Sequence, residues 1–92
     1  MLSVTWTSQF KKDYKLAKRR KKNLAKLRRV VDILSKELPL DEQYRDHALT
    51  GNYRGHRELH IEPDWLLIYR VYGDVLMLSL TRTGTHSDLF EK

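Results

Sequence analysis

Leu2, Val4 and Trp6 alternate with Ser3 and Thr5, and this period of two predicts a short strand over residues 2–6. Phe10, Tyr14 and Ala17 then recur at spacings of four and three, as on one face of a helix, and Ser8 suits the N-cap. Leu24, Leu27, Val31, Leu34 and Leu38 repeat that pattern, with Asn23 placed to cap and Pro39 to stop it. The chain therefore predicts a helical hairpin over roughly 8–20 and 23–37. Residues 39–52 read as a turn-rich connection. Three further strands are predicted over 53–61, 65–72 and 75–82. Pro63 and Gly73 mark the two turns between them. The expected fold is α+β: a small single domain over residues 1–92, β-α-α-β-β-β, with an antiparallel curved sheet under a two-helix hairpin.

With both turns taken as two-residue loops, residue 62 faces 65 and 60 faces 67. In the next hairpin, 72 faces 75 and 65 faces 82. Directly opposed residues share a face, so His60, Trp65, Leu67 and Arg82 are expected together at the Pro63 end of the sheet. Asp64 lies in that turn. Thr83-Gly84-Thr85 breaks the last strand there, so His86 can fold back to the same corner. A single β-bulge would exchange the faces beyond it. Both faces are partly apolar, so the pattern leaves open which one the helices cover.

Charge changes the picture of the hairpin. Residues 11–29 hold eleven basic residues and one acid, Asp13, while the rest of the chain carries four more acids than bases. Such a block either meets a polyanion or is a solvated helix face. A chain of 92 residues has a thin core. It has no cysteine, which rules out disulfides and thiolate metal sites and fits a reducing compartment. No apolar run approaches the ~18 residues of a membrane span, so a soluble, cytoplasmic protein without membrane attachment is expected.

A corner holding two histidines, an aspartate and an arginine suits RNA cleavage. The 2′-hydroxyl is the nucleophile; a base must take its proton and an acid must protonate the leaving oxygen, and imidazole suits either task. Arginine matches phosphate oxygens, and Trp65 or Phe90 could stack an unpaired base. This scheme needs no metal or cofactor, and there is no HExxH and no cysteine pair. Each residue also has a plain structural reading: His60 as a strand histidine, Asp64 as a turn residue, Arg82 as a strand end, Trp65 as core.

The segments "DHALTGNYRGHRELHIEPDWLLIYRV" and "LTRTGTHSDLF" resemble the YafQ branch of the RelE/ParE toxin superfamily. The resemblance runs from about Leu38 to Phe90 and extends more weakly to the first strand and the basic hairpin. It implies a microbial-RNase-like fold and a ribosome-dependent mRNA endonuclease. Such a protein cuts in the A site of the 70S ribosome by 2′-hydroxyl attack, leaving a 2′,3′-cyclic phosphate and a 5′-hydroxyl. It implies a catalytic set of His47, His60, Asp64, Arg82 and His86, with Trp65 and Phe90 packing the site or stacking bases. His47 enters through the resemblance alone. His86 is assigned as general acid, Asp64 with His47 as the base side, and His60 and Arg82 as phosphate holders; exchanging acid and base leaves the sequence unchanged. Lys11, Lys12, Lys15, Lys18, Arg19, Arg20, Lys21 and Lys22 are expected to meet rRNA phosphates. The implied partner is an antitoxin with an acidic tail and a ribbon–helix–helix part, through which the pair would bind operator DNA. The rival readings are a ParE-like gyrase-directed toxin and a non-catalytic module that binds rRNA or an acidic partner.

Overall fold

The computed structural model describes residues 1–90. The first strand, β1 (Ser3–Trp6), leads through Thr7 into helix α1 (Ser8–Arg19). Thr7, not Ser8, is the cap: its hydroxyl accepts from the Phe10 N–H at 2.9 Å and donates to the Thr81 carbonyl at 2.8 Å. Asn23 caps helix α2 (Leu24–Ser35) as expected. Both helices end alike. Lys21 and Glu37 take left-handed φ angles of 59° and 57°, and the next residue's N–H reaches back to Ala17 and Ile33 respectively. That geometry closes the last turn without the usual glycine.

The connection to the sheet is more structured than its composition suggests. It holds a 3-10 turn at Glu42–Tyr44, a two-residue strand β2 (His47–Ala48) that the sequence reading did not foresee, and a second 3-10 turn at Gly51–Tyr53. Strands β3 (Arg57–Glu62), β4 (Trp65–Tyr72) and β5 (Met77–Gly84) follow, and helix α3 (His86–Leu89) ends the described chain. The sheet order is β1-β5-β4-β3-β2. β2 to β5 pair antiparallel, but β1 runs parallel to β5, which corrects the all-antiparallel expectation. The helical hairpin is what permits this: it carries the chain across the sheet, so the first strand lies beside the last.

Two bulges set the faces. Glu62 opposes Trp65 as expected, but Ile61 is an extra residue, so His60 opposes Leu66 rather than Leu67. The β4–β5 loop is longer than two residues, Tyr72 opposing Met77. Thr81 is extra as well, so Arg82 opposes Ile68 rather than Trp65. The expected grouping of His60 with Trp65 and Leu67 on one face is therefore wrong. Leu59, Ile61, Trp65, Leu67, Tyr69, Leu78 and Leu80 form the core under the helices, with Phe10, Ala17, Leu27, Val30 and Leu34. Leu66 and Ile68 point the other way, into a smaller cluster with Leu89 flanked by Leu49, Tyr53 and Phe90. His60 lies at the edge of that second face.

Candidate active site

His47, His60 and His86 stand in a row. The ring centroids are 6.4 Å apart for His47 and His60 and 5.8 Å apart for His60 and His86. Each ring reaches the row by a different local device. The β2–β3 pairing sets His47 opposite Glu58. The segment before His47 is fixed by Asp46, which accepts from Arg57 and from the Tyr69 hydroxyl. The Ile61 bulge turns His60 to the open face, where its Nδ1 lies 3.2 Å from the Pro63 carbonyl. His86 is the first residue of α3, whose capping box joins Thr85 and Asp88. Gly84 makes that box possible: a Cβ there would lie 2.9 Å from the Asp88 side chain.

Two carboxylates back the row. Asp64, in the exposed β3–β4 turn, accepts from the His86 backbone N–H at 3.1 Å and meets its Nδ1 at 2.9 Å. These bonds from His86, backbone first, hold the Asp64 carboxyl below the usual carboxylate range. Glu58 is the other carboxylate, and sequence reasoning missed it. It is 5% exposed, yet one of its oxygens lies 3.4 Å from His47 Nε2 and 3.7 Å from His60 Nε2. The signal was available only in part, since a glutamate two residues before His60 shares its face but nothing in the spacing says that it is buried. Glu58, His60 and His86 each offer a ligand atom within 4.8 Å of one another. A carboxylate and two imidazoles are a donor set that suits a zinc- or copper-like ion.

The remaining expected residues divide. Phe90 is half-buried on the open face and meets Tyr53 edge-on at 5.9 Å. Trp65 is 1% exposed within the core under the helices, with Lys22 Nζ 5.8 Å from its ring and its indole N–H without a partner. Burial restricts Trp65 to packing the site from behind. Arg82 turns to α1: its Nε and Nη2 donate to Asp13 at 2.9 and 3.0 Å, and Asp13 also accepts from the Thr83 N–H. Asp13 foremost, with Tyr53 adding, raises the Arg82 pKa further. The residue is thus fixed beside the open face and makes no hydrogen bond to the imidazoles.

Of the basic set, Lys11, Lys12, Lys15, Lys18, Arg19 and Lys21 are exposed. Arg20, also exposed, and half-buried Lys22 make ion pairs within the protein as well. Arg20 grips Asp88 at 2.7 Å, and Lys22 lies 3.9 Å from Glu62, which Lys26 reaches at 3.1 Å. The hairpin is therefore tied to both segments that carry Asp64 and His86. Among the described residues, no helix is long and apolar enough to cross a membrane.

Comparison with known proteins gives the family and supports the fold. Residues 2–91 match the family described as bacterial toxin of type II toxin–antitoxin system, YafQ. The mRNA interferase toxin YafQ of Escherichia coli K12 is 42% identical over 88 residues, covering 95% of this chain and 94% of that protein. YafQ in the E. coli DinJ–YafQ toxin–antitoxin complex superposes with a TM-score of 0.87 at 41% identity, covering 97% of each chain. A metal-bound toxin from Helicobacter pylori superposes with a TM-score of 0.92 at 39% identity, covering 98% of this chain and 100% of that one. An mRNA interferase is an endoribonuclease. The chain belongs to the YafQ family of bacterial toxins from type II toxin–antitoxin systems.

Proposed function

We propose that this protein is an endoribonuclease that cuts messenger RNA in the ribosomal A site, by general acid–base catalysis from its own side chains. The observation that supports the reading best is the imidazole row with a carboxylate behind each end. A 2′-hydroxyl attack requires a base and an acid on opposite sides of one phosphorus, and His47 and His86 are the two ends of that row. Asp64 hydrogen-bonds His86 directly, which favours the acid side for Asp64 over the base side that the resemblance implied, with His47 as the base. In this scheme His47 takes the 2′-hydroxyl proton and His86 Nε2 gives a proton to the departing 5′-oxygen. A 2′,3′-cyclic phosphate and a 5′-hydroxyl result. His60 and the Nη1 edge of Arg82, which Asp13 does not use, offer donors to the charged phosphorane. Trp65 supports the site by packing, and Phe90 offers its ring to a base.

The exposed lysines of α1 give the salt-sensitive grip on rRNA phosphates that ribosome entry requires. The partner that restrains the enzyme is an antitoxin, as DinJ accompanies the E. coli protein. A ribbon–helix–helix part on that antitoxin would carry the pair to operator DNA, and the cytoplasm is where such a toxin finds translating ribosomes.

Ribosomes programmed with a defined message provide the test. Wild type should produce cuts with 2′,3′-cyclic phosphate ends at A-site codons, and His86→Gln should reduce them about 10²–10⁴-fold. Undiminished cutting by His86→Gln would remove that residue from the chemistry. Gyrase inhibition without RNA cleavage would replace the nuclease reading with a gyrase-directed one.

A further inference from the structure

Beside His60 the surface opens into a cavity of about 660 Å³ between α2, the Glu42–Tyr44 turn and the outer edge of β3. We propose that this cavity is a subsite for one nucleotide of the RNA, adjacent to the phosphate that is cut. The inference rests on the nuclease reading and adds a place where the substrate is held and read.

The fold explains why the cavity exists. β2 pairs only with Arg57 and Glu58, so beyond Glu58 the outer edge of β3 has no covering strand among the described residues. Arg45 takes a left-handed φ of 51° and turns the chain into β2, and the Glu42–Tyr44 turn before it packs beside β3. The gap between this turn and α2 is lined along its floor by His60, Ile61, Glu62 and Pro63. His60 thus belongs to both the imidazole row and the cavity floor, which makes the two spaces continuous.

The chemistry of the walls selects the ligand. The size lies within the ~300–1,000 Å³ typical of small-ligand sites. Arg29 on α2 and Arg45 on the turn line it, and neither forms an ion pair among the described residues. Lys26 is already paired with Glu62 on the floor. Two arginines lining one space, neither held in an ion pair among the described residues, favour phosphate, which guanidinium groups match through paired N–H donors. Tyr44, half-buried against the core, supplies an aromatic surface in the same space, and Gln43 adds an amide that can both donate and accept. A phosphate, a stacking surface and an amide edge are the three things a nucleotide needs.

Two measurements test the subsite. The first compares cutting of programmed ribosomes by wild type, the Arg29→Gln/Arg45→Asn double variant and a charge control, Lys36→Gln. Asn suits the left-handed backbone at 45, so the fold is kept. The double variant should raise KM about tenfold with kcat within about twofold and show a shallower dependence of KM on salt. Lys36→Gln should match wild type. The second titrates adenosine 3′,5′-bisphosphate into isotopically labelled wild-type protein and follows the amide resonances. Shifts should centre on Tyr44, Arg45 and Ile61 and vanish in the double variant. An unchanged KM in the double variant, or shifts that avoid these residues, would overturn the subsite. Failure of the wild type to cut any message would count against the nuclease reading instead, and the titration would still decide the cavity.

Discussion

His86 gives Asp64 two hydrogen bonds, one from its backbone N–H at 3.1 Å and one at Nδ1 at 2.9 Å. The pair fixes the ring so that Nε2 is the atom presented outward. Asp64→Asn should therefore lower kcat for message cutting by about 10–100-fold with little change in KM, because ring orientation is lost but surface contact is not. The bonds hold the Asp64 carboxyl below its ordinary range. A carboxyl held low stays ionised where an ordinary one does, so Asp64 itself should add no step to the acidic limb of a pH–rate profile.

Glu58 joins His47 and His60 from beneath and is nearly sealed from solvent. Glu58→Gln keeps the volume and removes the charge that both rings face. Single-turnover cutting should fall about tenfold, and thermal unfolding should show a loss of about 1–2 kcal/mol. If Glu58→Leu cut as fast as wild type, the residue would be packing alone.

Asp13 is the single acid among residues 11–29 and is 8% exposed. It satisfies the Arg82 guanidinium and the Thr83 N–H together. Asp13→Ala leaves both unpaired at the bulge, so denaturant unfolding should report a loss of about 2–4 kcal/mol. Cutting should weaken mainly through kcat, because Arg82, the proposed donor to the phosphorane, is released from its fixed direction rather than removed.

Trp65 separates packing from stacking. Its indole N–H has no partner, so Trp65→Phe forfeits volume but no hydrogen bond. The variant should lose about 1–2 kcal/mol in thermal unfolding and keep cutting within a few-fold, whereas Trp65→Ala should lose ~3–5 kcal/mol. A large loss of cutting by a well-folded Trp65→Phe would mean that the ring reaches substrate.

Asp88 provides a pH signature. Arg20, and after it Thr85, holds the carboxyl down to about 2 against an ordinary 3.8. A lowered pKa in the folded state stabilises fully above the unfolded value and is lost as pH falls through the folded one. The stability gap between wild type and Arg20→Ala, measured by denaturant unfolding, should be constant from neutral pH to about pH 4 and close toward pH 2.

Much of this protein could be read from side-chain periodicity, and the exceptions share a cause. Helices α1 and α2 were visible because Phe10, Ala17, Leu27 and Leu34 repeat at helical spacing and are buried. The Pro63 turn was visible because Glu62 does face Trp65. The faces beyond it were not, because Ile61 and Thr81 are each one residue in excess and neither differs in character from an ordinary strand residue. β2 escaped because two residues carry no period. Within the site, family motifs supplied His47, while Glu58 and Asp13 were hidden for the same reason: a charged residue is expected outside, and only the assembled fold reveals the partners that let it be buried.

The parallel pairing of β1 with β5 has a temporal side. The ribosome makes β1 first and β5 last of the five strands, so Ser3–Trp6 waits without its neighbour until Met77–Gly84 has emerged. Arg82 and His86 lie on that final strand and just past it. A nascent chain still missing them lacks two of the residues proposed for the chemistry, so on that reading activity must wait for β5 and α3 to be made and paired.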